Sequence, residues 1–123
     1  FTRAIEINPQ YADAYYNRGL DKYYLNDTQG AIADFTRAIE INPQESGYYN
    51  NRGVAKKKSG NYQGAIADYS KAIAIDPQDA AAYYNRGLAK GLSGDNYGAC
   101  IDIEKAAELG DEYSAKVFRR NCR

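Results

Sequence analysis

The sequence contains no histidine, which removes Ser-His-Asp triads, histidine general bases and histidine-ligated metals from consideration. It has two cysteines, Cys100 and Cys122, which lack metal-ligand spacing and are too few for a disulfide framework. Nor is there charge to spare, since sixteen Lys and Arg offset sixteen Asp and Glu. Binding to a phosphate backbone needs a clustered basic excess, so no nucleic-acid partner is expected. The one basic run, Lys56, Lys57 and Lys58 with Tyr62 nearby, reads as a solvated helix end. No apolar run approaches the length of a membrane span, and no signal peptide is visible. A soluble protein is therefore expected, with the cytoplasm favoured. Prolines number three, Pro9, Pro43 and Pro77, each 34 residues from the next.

That interval governs the chain. Residues 46–77, SGYYNNRGVAKKKSGNYQGAIADYSKAIAIDP, reappear 34 places earlier as ADAYYNRGLDKYYLNDTQGAIADFTRAIEINP and 34 places later as AAAYYNRGLAKGLSGDNYGACIDIEKAAELGD. Self-similarity of this length marks a stacked array, in which each repeat covers the face its neighbour exposes. At 123 residues the chain is one structural unit with a modest, continuous core.

Each copy carries two helical patterns. The second holds apolar residues at helical spacing, Ala31, Ile32, Phe35, Ala38 and Ile39, then Ala65, Ile66, Tyr69, Ala72 and Ile73. The first helix of the first full repeat begins near Tyr11 and ends at about Leu25, where Asn26 can take the left-handed conformation. Gly60 and Gly94 hold that place in the later copies, and Asp27, Asn61 and Asp95 follow as caps for the next helix. Gly19, Gly53 and Gly87 each cost a helix interior about 1 kcal/mol relative to alanine. Their recurrence points to close approach between the hairpin helices, against the partner's alanine. Residues 1–7, FTRAIEI, match residues 35–41, so they read as the second helix of a truncated repeat, closed by Pro9. The chain opens without methionine inside that repeat, and the natural N-terminus is expected upstream. Phe1, Ala4 and Ile5 would then present uncovered apolar surface, where contact with a sister chain is expected. At the other end Gly110 and Asp111 replace the proline turn. Residues 112–123 read as a capping helix with Tyr113, Val117 and Phe118 on one side and Lys116, Arg119, Arg120 and Arg123 on the other.

The 34-residue period and its recurring residues resemble the tetratricopeptide repeat (TPR) family. A large ring early in the first helix is met by Tyr15, Tyr49 and Tyr83, and a small residue four places on by Gly19, Gly53 and Gly87. Alanine, an aromatic and alanine follow in the second helix: Ala31, Phe35, Ala38 and Ala65, Tyr69, Ala72, with Ile103 in the aromatic place between Ala99 and Ala106. Two departures recur, Arg18, Arg52 and Arg86 for leucine and Lys22, Lys56 and Lys90 for tyrosine. The resemblance implies an all-α right-handed solenoid with repeats over 12–45, 46–79 and 80–111. It also implies a non-catalytic module that binds a protein or peptide segment in its concave groove. No cofactor is implied.

Tyr15, Tyr49 and Tyr83 are expected in the core. The concave face is expected to carry Tyr16, Leu20, Tyr23 and Tyr24 from the first repeat, and Asn50, Asn51, Val54 and Lys57 from the second. Tyr84, Asn85, Leu88 and Leu92 follow from the third. Asn17, Asn51 and Asn85 form a ladder of amides, and a primary amide both donates to and accepts from any peptide bond. Family members that clamp a C-terminal carboxylate use lysines and an arginine beside such asparagines. Here those places hold Tyr16, Ala81 and Asn85, so a co-chaperone of the Hsp70/Hsp90-tail type is not expected. Two alternatives stand: an array that mainly self-associates, and the regulatory segment of a larger enzyme. Within this chain GLSGDNYG is no phosphate loop, since its glycines fall where the repeat needs turns and no P-loop lysine follows. Asn26-Asp27-Thr28 is a glycosylation sequon by pattern, but a helix end explains Asn26 better.

Three recurrences bear on particular side chains. Each arginine has an aspartate sixteen places later, Asp34, Asp68 and Asp102, so an ion pair is expected in at least two repeats, with the arginine stem on the tyrosine ring. Cys100 stands where the other copies have Ile32 and Ile66, and is expected to be buried and inert. Cys122, near the chain end, is expected to be the more reactive thiol.

Overall fold

The computed structural model describes residues 9–122, and among them every regular element is helical. Seven helices run in order: α1 Pro9–Tyr24, α2 Thr28–Ile41, α3 Ser46–Lys58, α4 Tyr62–Ile75, α5 Ala80–Leu92, α6 Asn96–Glu108 and α7 Glu112–Asn121. Each pairs with the next, giving three hairpins, stacked as a right-handed solenoid and ended by α7.

Local chemistry fixes the ends of these helices. Asn26 has φ 69°, Gly60 89° and Gly94 102°, so the left-handed residue sits at the expected place in each hairpin. Directly after it, the side chains of Asp27, Asn61 and Asp95 accept from the backbone N–H of Gly30, Gly64 and Gly98. Gly110 (φ 104°) and Asp111 repeat that pair before α7, where Asp111 accepts from the Ser114 N–H. Pro9 is the first residue of α1. Its fixed φ and missing N–H suit a first helical turn, where no intrahelical partner is required. The truncated helix expected over residues 1–7 and the apolar surface assigned to Phe1, Ala4 and Ile5 lie outside the described residues.

The core runs between hairpins as small clusters. Ala31, Phe35 and Ala55 are buried together, as are Ala65, Tyr69 and Ala89, so an alanine of the next first helix closes over each ring. The hairpin glycines do approach their partners, but Gly19 and Gly53 face rings. A methyl there would lie 2.7 Å from a ring carbon of Phe35 or of Tyr69. Only Gly87 faces an alanine, and it is the Ala99 carbonyl, 2.9 Å from where its Cβ would stand. The ring, larger than the alanine and reaching across the hairpin, sets the limit on bulk.

The cysteines overturn the expectation of two thiols. Cys100 and Cys122 form a disulfide, with Cα atoms 5.7 Å apart, and no free cysteine is left. The turn at Gly110–Asp111 folds α7 back on α6 and brings the C-cap of α7 beside Cys100. Closure of that kind depends on the helix-to-helix turn and not on cysteine number, so spacing alone could not reveal it.

Candidate functional site

Beneath any surface of this array lies a charge cluster repeated in each hairpin. Asp34, Asp68 and Asp102 are buried, at 3%, 4% and 2% exposure. Each accepts two parallel bonds from its arginine: Arg18 at 2.8 and 2.8 Å, Arg52 at 2.8 and 2.8 Å, Arg86 at 2.7 and 2.8 Å. The ion pair expected in two repeats is therefore present in all three. The same aspartates also receive Lys22, Lys56 and Lys90 at 3.2, 3.2 and 3.0 Å. The recurrent lysine departures are thus explained, and sequence reading missed this role although their period matched that of the arginines. A buried carboxylate needs several donors to offset its lost hydration. The fork from Arg18 holds the Asp34 carboxyl below its ordinary range, and Lys22 adds to it. Each guanidinium also stands over its tyrosine, 5.4 to 5.9 Å from the centroids of Tyr15, Tyr49 and Tyr83. The third guanidinium nitrogen crosses to the preceding hairpin, from Arg52 to the Thr36 hydroxyl and from Arg86 to the Ser70 hydroxyl.

These charge clusters change the reading of the rings. Tyr49 is buried as expected, whereas Tyr15 and Tyr83 are only half-buried beneath their arginines. Tyr16, assigned to the groove, is half-buried and packs on Phe35 and Tyr48, with centroids 5.7 and 4.9 Å away. Burial raises its hydroxyl pKa. That hydroxyl accepts from the Asn51 amide at 2.7 Å, and the same amide nitrogen donates to the Gly47 carbonyl at 3.0 Å. Asn50 donates to Asp79 at 2.7 Å, while its amide oxygen is buried without a partner. Asn51 and Asn50 therefore tie helices together. Asn17, exposed, and Asn85, half-buried, have no side-chain hydrogen bond among the described residues.

The remaining expected positions divide by exposure. Leu20, Tyr23, Val54 and Leu88 are half-buried, and Leu20, Tyr23 and Val54 pack at the edges of core clusters. Tyr84 is half-buried edge-on to Tyr113 of α7, at 5.7 Å, and burial followed by Tyr113 raises its hydroxyl pKa. Tyr24 and Leu92 are exposed, at 78% and 58%. The basic run closes α3 as expected, with Lys58 exposed and Lys56 and Lys57 half-buried. Lys56 is taken by Asp68, Lys58 donates to Asn26 at 2.7 Å above the Tyr23 ring, and Lys57 is half-buried with its pKa lowered by that burial. The periodic geometry turns successive lysines to different faces, so Lys56 and Lys58 meet different partners while Lys57 has none among the described residues.

Family profiles described as "Tetratricopeptide repeat" and "TPR repeat" match residues 12–45 and 55–94. The chain belongs to the tetratricopeptide repeat family. Solved structures superimpose on it closely. The TPR domain of OM64 from Arabidopsis is 27% identical with a TM-score of 0.87, over 91% of this chain and 93% of that one. The second TPR of Spaghetti (RPAP3), bound to HSP90 peptide SRMEEVD, is 28% identical with a TM-score of 0.80, over 83% and 94%. MamA is 32% identical with a TM-score of 0.80, over 89% of this chain and 63% of that one. None of the curated proteins matches the sequence. This tetratricopeptide array brings together no group of three metal-ligating side chains among the described residues. None of their helices is long and apolar enough to cross a membrane.

Proposed function

We propose that this tetratricopeptide array is a protein-interaction module whose first helices, α1, α3 and α5, hold an extended segment of a partner with apolar side chains and little net charge. The observation that carries this reading is that Leu20, Val54, Leu88 and Tyr84 on these helices are each half-buried, leaving a row of partly open apolar side chains at the period of the repeat, accompanied by unbonded amides at Asn17 and Asn85. Amides without internal partners can pair with a peptide backbone, and the row supplies apolar contact. The bound peptide in the second TPR of Spaghetti supports a peptide ligand for this architecture. Its sequence is acidic, whereas Tyr16, Ala81 and Asn85 stand here where carboxylate-clamping members carry cations. A neutral segment therefore fits this row better than an acidic tail.

A phage-displayed library of random peptides, selected on the folded chain, tests the proposal. Enriched sequences should be apolar and near neutral, and should bind at about micromolar strength. Asn85→Ala and Tyr84→Ala should each weaken them by more than about fivefold, as central anchors do. If the selected peptides are acidic at the C-terminus, or bind the variants as well as the parent chain, the row is not the site.

A further inference from the structure

The last junction of the array is fastened differently from the others. Between α2 and α3 the link is Arg52 to Thr36, at 3.2 Å, and between α4 and α5 it is Arg86 to Ser70, at 3.1 Å. The matching place on α6 is Glu104, which is exposed. No hydrogen bond or ion pair among the described residues joins α7 to α6. The apolar hold is also thin, since Val117 is the one buried apolar side chain of α7, with Phe118 half-buried. A ten-residue helix of this kind does not persist by propensity alone. Besides the edge-on contact of Tyr113 with Tyr84 of α5, what fastens α7 to the array is the Cys100–Cys122 bond, which enters α7 at its C-cap while Gly110 and Asp111 hold the other end. The bond also walls an apolar cleft of about 450 Å³ between α5, α6 and α7, lined by Leu88, Leu92, Ile103 and Val117.

We propose that this disulfide is a redox latch on the capping helix: closed when oxidised, it holds α7 over the end of the array, and reduction releases α7 and bares the cleft. The reductant is a dithiol. Its first thiolate attacks one sulfur of the pair, breaking the S–S bond and forming a mixed disulfide. Its second thiol then displaces the protein sulfur. Cys100 and Cys122 each end as a thiol carrying one of the two protons, and the dithiol ends as a disulfide, so two electrons pass to the protein. Both sulfurs belong to half-buried residues, not to the deep core, which leaves the bond open to attack. In an oxidising compartment the latch stays closed, and in one rich in reduced thiols it opens.

Hydrogen exchange read by mass spectrometry on the full chain, with and without dithiothreitol, tests the latch. Reduction should lower protection across residues 112–121 by at least about tenfold while α1 to α4 keep theirs. Cys122→Ser, which leaves Cys100 in place, should show the same loss without any reductant. Unchanged protection of α7 after reduction overturns the proposal. So does a loss shared evenly by α1 to α4, because the bond would then stabilise the whole array and latch nothing.

Discussion

At position 69 the second repeat puts a tyrosine where the first has Phe35 and the third Ile103. The ring fits, fully buried, but its hydroxyl has no hydrogen-bond partner, and burial raises its pKa well above that of free tyrosine. An unsatisfied buried hydroxyl costs about 1–3 kcal/mol. Tyr69→Phe should therefore raise stability by about 1 kcal/mol, seen as a higher urea midpoint with an unchanged slope. The opposite sign is expected beside it. Arg52→Ala takes two donors from Asp68 and leaves only Lys56, which should cost about 1–3 kcal/mol in the same measurement. The charge clusters also set a pH response. Asp34 has its folded pKa depressed below 3.8 by the Arg18 bonds, so its contribution is present above that unfolded value. It should disappear as pH falls through 3.8 toward the folded value. Stability measured from pH 6 to pH 2 should fall less steeply in Asp34→Asn than in the parent chain. Of these features, the Arg–Asp pairs were legible because both partners recur at a fixed offset. The unpaired Tyr69 hydroxyl was not, since a sequence shows no lack of partners.

Two helical glycines separate intrinsic helix preference from packing at the scale of the element. Gly53 in α3 faces the Tyr69 ring so closely that an added methyl would stand 2.7 Å from it. Gly91 in α5 meets only the Ala99 methyl, at an ordinary 3.6 Å. Gly53→Ala should therefore lose about 1–3 kcal/mol by overpacking, despite its gain in helix propensity. Gly91→Ala should gain up to about 1 kcal/mol, because propensity acts there without opposition. Thermal unfolding of the two variants beside the parent would show shifts of opposite direction. Helix ends were readable from composition alone, since a left-handed residue followed by a capping side chain solves a local backbone problem. The direction a groove tyrosine takes is not local. Tyr16 turns onto Phe35 and Tyr48 because the next hairpin offers it a ring and an amide.

In the whole molecule, part of the charge that looks free in sequence is already engaged. Two of the three lysines in the run have partners, and sixteen basic against sixteen acidic side chains leave no net charge. The array should show no salt-dependent binding to DNA or RNA in a fluorescence-anisotropy titration at low ionic strength; a log–log salt slope of several units would contradict this. The 34-residue period, the hairpin ends, the Arg–Asp pairs and the all-α solenoid were determined by sequence, because each follows from periodicity and short-range chemistry repeated in register. Tertiary structure alone decided which amides stay free, what the glycines face and where the lysines end. It also decided that Cys100 meets Cys122, 22 residues apart, across a turn that folds one helix back on another. These outcomes depend on atoms meeting between hairpins, and that distance is set by ring size and turn geometry, which a one-dimensional period does not carry.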